Sequence, residues 1–440
     1  MTIRTLEALF DAFRDLGATH TFCKRLAEND NSKQQIYLGG SLDALNMLPF
    51  GEVASDASAK RPNMKAPLKL LWLDEAGRTA PASGAQLILY PDYPEVRLSG
   101  FLRGCARAPA AFLQPVPRER RKFDNAPDGR ILFLANHPDR HLIAFLAPAG
   151  SAIAEEFENQ AMRWRPRQRG VFLDIPLQGN DARSALLARL REIHAAGWHA
   201  SRRLNAQRVA QPYIARNGAG YTLEALFGIV PNSKAQPDFL GWELKACGSD
   251  RITLMTPEPD SGFYGKHGAE EFVRKFGHQA GGDTLYFTGL HRVGELCRAT
   301  GQTLAVRGFD IASGKIVDVG GGVYLIAPNG SESAGWSFSR LLEHWGRKHA
   351  AAAYVPYEKE AAGARYRYLS PASLGEGTEF VRFLRALVDG AVAFDPGSKV
   401  VDASTKKSKV KARSQFRIGK RRLRQLYERF TDEPLDPTNS

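Results

Sequence analysis

The feature that most constrains this chain is how its apolar residues are parcelled out. In the first third they come in runs of about four to seven residues, at Leu68–Leu73, Gln86–Tyr90, Val96–Leu102, Ile131–Leu134 and Leu142–Leu146, separated by Pro, Gly, Asp and Asn. A run that short and so punctuated is the length of a strand and too short for an ordinary helix. Only the opening segment breaks the rule: Leu6, Leu9, Phe10, Phe13 and Leu16 share one helical face and predict a core-facing helix. No run approaches the roughly 18 apolar residues that span a bilayer, so no membrane partner is expected. The start, Met1-Thr2-Ile3-Arg4-Thr5-Leu6, lacks the pattern of a secretory signal, and a cytoplasmic location is expected.

At 440 residues the chain exceeds one domain of usual size. The pattern breaks around Arg163–Gly170, and a polar stretch runs to Gly179-Asn180-Asp181. Asp181 is a candidate N-cap, Leu186, Leu187, Leu190 and Ile193 form one apolar face, and Gly197 is placed to end the helix. The expected organisation is a β-rich domain over residues 1–175, binding DNA or an effector, and a second domain over 178–440. The second alternates strands and helices. Strands are expected at Asp238, Trp242–Ala246, Ile252–Thr256, Thr284–Thr288, Thr303–Phe309 and Val323–Ala327. Helices are expected from about Thr222, around Phe272 and Phe276, at Ser337–Arg347 and at Thr378–Asp389. The fold class is α/β, a mixed central sheet flanked by helices.

Charge points to the partner. Sixty Lys and Arg against 47 Asp and Glu give a net charge of +13, which suits a polymer of phosphates. Ten of the basic residues, among them Arg413, Arg417, Lys420 and Arg421, fall between Lys406 and Arg424 with no acid between them. Phe416, Ile418, Leu423 and Tyr427 give that segment something to pack, so DNA contact is expected rather than a solvated tail. A second DNA contact is expected at Lys266 and His267, in a Gly-flanked stretch read as a loop. Pro117–Lys122 is a basic loop expected to be solvated. Trp336 and Trp345 read as core, and Gly320-Gly321-Gly322 as a turn without the Gly-Lys-Ser of a phosphate loop. The ten histidines form no zinc-binding pattern, and the four cysteines are too far apart for a paired motif and read as reduced.

The chemistry concentrates in Gln236-Pro237-Asp238-Phe239-Leu240-Gly241-Trp242-Glu243-Leu244-Lys245-Ala246. In a strand, residues two apart share a face, so Glu243 and Lys245 point one way while Trp242 and Leu244 point into the opposite layer. A turn at Leu240-Gly241 brings the Asp238 carboxylate beside Glu243. Hydrolysis of a phosphodiester needs such a set: hard oxygen ligands for Mg²⁺ and positive charge near the reacting phosphate. Asp238 and Glu243 are the expected metal ligands. Lys245 either orients or deprotonates the attacking water, or neutralises developing charge. Glu224, on the helix face opposite Leu223, Leu226 and Phe227, could reach the same site. The same alternation of Glu and Lys also suits a solvent-facing edge strand.

Thr222-Leu223-Glu224, Pro237-Asp238 and Gly241-x-Glu243-Leu244-Lys245 together resemble the active-site block of MvaI/BcnI-type restriction endonucleases, relatives of the mismatch-repair nicking enzyme MutH in the PD-(D/E)xK superfamily. Gly197-Trp198-His199, Ile252–Thr256 and Arg413–Ile418 are also similar to stretches of that family, and the resemblance covers roughly residues 178–430. It implies a restriction-endonuclease-like fold, metal binding by Asp238 and Glu243, a catalytic Lys245 and an auxiliary Glu224. It also implies Mg²⁺ as cofactor, with Mn²⁺ able to substitute, and double-stranded DNA as partner. A monomer, and a cognate DNA methyltransferase encoded separately, follow from the same resemblance. Two alternatives stay open: a MutH-like repair nickase recruited by a partner, and a non-catalytic DNA-binding regulator.

Overall fold

The computed structural model describes residues 2–28, 30, 35–40, 42–93, 95–114, 116–120, 126–164, 168–175, 182–215, 217–231, 238–279, 281–348, 351–360 and 364–436. The candidate N-cap Asp181 and the Pro237 of the family-like block lie outside the described residues. The chain divides into two compact units, one of Met1–Ala54 with Asn63–Ala185 and one of Ser55–Pro62 with Leu186–Ser440.

The first unit is β-rich. Its largest sheet runs Gln168–Arg169, Phe172–Ile175, His20–Ala27, Pro127–Asn136, Leu142–Ala147, Leu70–Leu73 and Thr79–Ala82 in spatial order. The helix Leu6–Asp15 begins at Thr5, whose hydroxyl accepts the Ala8 amide, and buries Leu6, Leu9, Phe10 and Phe13. A second helix, Ala152–Trp164, contributes Ile153 and Phe157 to the same core, where Phe157 meets Phe133 edge-on at 5.4 Å. Four further strands, Gln35–Gly39, Glu95–Ser99, Gln86–Tyr90 and Asn63–Pro67, pair antiparallel in that order.

The second unit is built on a six-stranded mixed sheet, whose strands we number in chain order: β1 (Trp198–Ala200), β2 (Glu243–Cys247), β3 (Ala351–Lys359), β4 (Arg365–Tyr368), β5 (Ala372–Glu376) and β6 (Arg429–Glu433). The order is β1-β4-β3-β5-β6, and β2 joins β3 in parallel, Glu243 facing Ala352 and Lys245 facing Tyr354. The sequence pattern did not predict β3. Its first half is Ala-rich, and Pro356 argues against a central strand because it lacks a donor. Pro356 is tolerated because it sits where the antiparallel partner changes, between Tyr354 opposite Ser373 and Tyr357 opposite Tyr368.

The helices are α1 (Ala182–Ala195), α2 (Gly218–Leu226), α3 (Gly262–Phe276), α4 (Phe338–Lys348) and α5 (Phe380–Val388). Helix α1 buries Leu186, Leu187, Leu190 and Ile193, and its Arg189 guanidinium donates to the Leu226 carbonyl at the end of α2. Trp345 of α4 packs at a tilt on Phe383 of α5 at 4.9 Å, and Trp336 packs with Phe394 and Phe416 at 4.7 and 5.3 Å, so both tryptophans are core. The Lys406–Arg424 region is folded, not a tail. Lys409–Lys411 pairs with Gly397–Val401, Phe416–Gly419 lies between Arg251–Met255 and Val392–Phe394, and a 3-10 helix covers Lys420–Leu426. Phe416, Ile418, Leu423 and Tyr427 are buried.

Candidate active site

A two-residue turn builds the site. Phe239 and Trp242 exchange backbone hydrogen bonds of 2.9 and 2.8 Å, and between them Leu240 and Gly241 both hold positive φ, +46° and +87°. Two consecutive positive φ values are the I′ pattern, which suits the right-handed twist of the strands it joins and favours Gly at the second position. Phe239 packs edge-on against Phe227 at 4.9 Å, tying the turn to the end of α2.

With Phe239 opposite Trp242, the next pair outward is Asp238 and Glu243. The half-buried Asp238 accepts the Leu244 amide through Oδ2 at 2.8 Å, fixing its carboxylate to β2. Glu243 is buried, and its Oε1 accepts the Lys245 ammonium at 3.1 Å. Trp242 and Leu244 are buried, as the period-two reading requires. Burial opposes the Lys245 charge, but the adjoining Glu243 carboxylate, with Asp238 behind it, outweighs that effect and holds the lysine above its ordinary pKa. It is therefore an ammonium at neutral pH.

Glu243 Oε2 is buried and finds no hydrogen-bond partner among the described residues. An ionised oxygen in that state is costly unless something positive meets it. Among the described residues no group of three or more His, Cys, Asp or Glu side chains converges as a metal site. Two carboxylates suffice for an ion such as Mg²⁺, which takes few protein carboxylates and completes its octahedron with water and phosphate oxygens. The donor set fits.

On the sheet face shared by Glu243 and Lys245, parallel register places Ala352 and Tyr354 alongside them. The Tyr354 hydroxyl meets the Tyr427 hydroxyl at 2.6 Å, and both are fully buried. The Tyr427 ring lies over Gly375, where a β-carbon would come within 2.5 Å of it. Sequence reasoning missed this pair because β3 was missed; the small residues Ala351–Ala353 and Gly375 were the available signal.

A family model for the MvaI/BcnI restriction endonuclease family matches residues 187–427, more than half of the chain. The chain belongs to that family. It is a type II restriction endonuclease-like nuclease, with the mixed α/β fold described above. Among solved structures, that of the MvaI–cognate DNA substrate complex is 17% identical, covers 58% of this chain and 99% of its own, and superposes with a TM-score of 0.46. MvaI in the absence of DNA is 15% identical, with 58% and 98% covered and a TM-score of 0.33. No curated protein matches the chain.

The family-like block, apart from Pro237, which lies outside the described residues, falls on α2, the turn and β2: Glu224 is half-buried on α2, which packs on β2. The expected DNA contacts are dispersed. Lys266 and His267 are exposed, but they lie in α3 and not in a loop; their Gly neighbours suggested one, and only Gly268, at φ +78°, kinks the helix. Arg417 is committed to structure, pairing with Asp395 at 2.8 Å and donating to the Arg251 carbonyl at 3.0 Å. Arg413, Lys420 and Arg421 are exposed. Lys420 comes to the end of β2: its amide donates to the Asp250 carbonyl, and its charge, with that of Lys245, partly offsets the burial that pushes the Cys247 thiol up to about 12. Among the described residues no helix is long and apolar enough to cross a membrane.

Proposed function

We propose that this chain is a Mg²⁺-dependent endonuclease that hydrolyses both strands of a specific double-stranded DNA site, in a restriction and phage-defence role. The observation that carries the reading is the buried, unpartnered Glu243 Oε2 beside an ammonium and a second carboxylate. Asp238 and Glu243 would hold the ion, and Mn²⁺ has the oxygen preference to replace Mg²⁺. When bound, the ion supplies Lewis acidity at a phosphoryl oxygen and lowers the pKa of water.

The chain's own residues do the rest. Lys245, beside Glu243, is placed to set positive charge where negative charge develops on the phosphate. The Leu244 amide holds Asp238 in place. Glu224 serves as an auxiliary acid on α2. Lys266, His267, Arg413, Lys420 and Arg421 present side chains able to meet phosphates, and Arg417 supports the fold first. We assign residues 178–440 to the nuclease and 1–175 to an accessory domain that binds DNA or an effector. The enzyme acts as a cytoplasmic monomer, with a separately encoded methyltransferase protecting host DNA.

Supercoiled plasmid incubated with the protein and Mg²⁺ should yield discrete fragments, lost in EDTA and in Asp238→Ala. Only open-circular product at long times would mean a nickase. Full activity of Asp238→Ala would overturn the site.

A further inference from the structure

Between Glu192 and Glu224 the sequence holds no acidic residue, while it holds Arg202, Arg203, Arg208 and Arg216. Between β1 and α2 this stretch forms a hairpin separate from the main sheet. Arg202–Leu204 pairs antiparallel with Ala210–Pro212, and these two strands make a sheet of their own. Its loop is closed by Asn205, whose side-chain oxygen accepts the Gln207 and Val209 amides at 3.0 and 2.9 Å. Residues 206–212 are all exposed, including the apolar Val209 at 57%, and just beyond them Ile214 is 77% exposed.

A bare two-stranded hairpin is at best marginal in water, so something must hold this one. Helix α2, which carries Glu224, does so. Thr222 Oγ1 accepts the Arg202 amide at 3.1 Å and Asn217 accepts the Tyr213 hydroxyl at 3.0 Å, while Tyr213 meets Tyr221 edge-on at 5.0 Å. The Arg203 guanidinium lies 5.0 Å from the Tyr213 ring, which restrains it without neutralising it. The helix that anchors the hairpin packs on β2, the strand of Glu243 and Lys245. An acid-free ribbon with exposed apolar residues is therefore anchored on the helix that packs against the strand of Glu243 and Lys245. A two-stranded ribbon is of a width that the major groove of duplex DNA admits.

We propose that the hairpin Arg202–Pro212 is a DNA-contacting ribbon whose Arg203 and Arg208 grip phosphates of the duplex brought to the active site. This rests on the nuclease reading and adds to it a binding element apart from the catalytic residues.

Binding of the full-length protein to a fluorescent mixed-sequence duplex, measured by anisotropy in EDTA across salt concentrations, tests the proposal. Arg203→Gln/Arg208→Asn is the first variant; Asn is chosen because Arg208 sits at φ +61°, which Asn tolerates. Loss of two phosphate contacts should make the plot of log K against log salt shallower by about 1.8, with Arg203→Lys/Arg208→Lys restoring it. Gln207→Glu, which puts a negative charge at the exposed tip, should weaken binding several-fold and does not depend on the fold of the first variant. Wild-type slope and affinity in both variants would overturn the hairpin's role while leaving plasmid cleavage, and so the nuclease reading, intact. A wild-type protein that neither binds duplex nor cleaves plasmid would overturn both.

Discussion

The Asp238 carboxylate accepts the Leu244 amide at 2.8 Å, so a residue outside the strand is locked to the strand that carries Glu243 and Lys245. Charge and position can therefore be separated at this residue. Asp238→Asn keeps an acceptor for the amide and should leave stability within about 1 kcal/mol. Plasmid cleavage should nonetheless fall by more than about 10-fold, since loss even of an outer-shell partner of a metal costs about 10–100-fold. Asp238→Ala should in addition cost about 1–3 kcal/mol in urea unfolding, because the Leu244 amide loses its acceptor. Asp238→Asn with wild-type turnover would remove Asp238 from the metal.

The paired hydroxyls of Tyr354 and Tyr427, 2.6 Å apart, predict a coupled response. Each single Tyr→Phe change strands one buried hydroxyl and should cost about 1–3 kcal/mol. Tyr354→Phe/Tyr427→Phe removes both and should cost less than the sum. Strictly additive losses in a double-mutant cycle would show that the two hydroxyls do not depend on each other.

Leu240 is 44% exposed and held at φ +46°, a conformation that branched side chains resist. Leu240→Asn creates the Asn-Gly pair preferred in this turn and should raise stability by about 0.5–1 kcal/mol, read as a higher Tm. A Tm that falls would mean the leucine side chain contributes packing that its exposure does not suggest.

Burial pushes His291 down to about 4 from an ordinary 6.5, its Nε2 lying 2.8 Å from Thr300 Oγ1. The unfolded chain then takes up a proton that the folded one refuses. Stability should be full above about pH 6.5 and decline by up to roughly 3 kcal/mol as pH falls toward 4. Chemical denaturation at pH 7.5 and 4.5 should show a smaller pH difference in His291→Gln than in wild type. Equal differences would remove His291 from the acid sensitivity.

The local sequence determined what local geometry can determine. The strand period puts Glu243 and Lys245 on one face, and a Leu-Gly step is short enough to fold Asp238 back beside them. Leu6, Leu9, Phe10 and Phe13, and Leu186 through Ile193, likewise bury the sides their helical spacing implies. The partners were decided elsewhere. Strand β3, which fixes β2 in register, is hidden in an alanine run with a proline, and only its neighbours on both sides make it a strand. Lys266 and His267 look like loop residues between glycines, yet they lie in the first helical piece of α3, which breaks at Gly268 before running on along the buried Phe272 and Val273. Arg417 reads as one more phosphate-binding cation until Asp395, 22 positions away, claims it. Periodicity and turn chemistry act over a few residues, whereas strand order, ion-pair choice and the sealing of Glu243 depend on separate segments of the chain meeting in space.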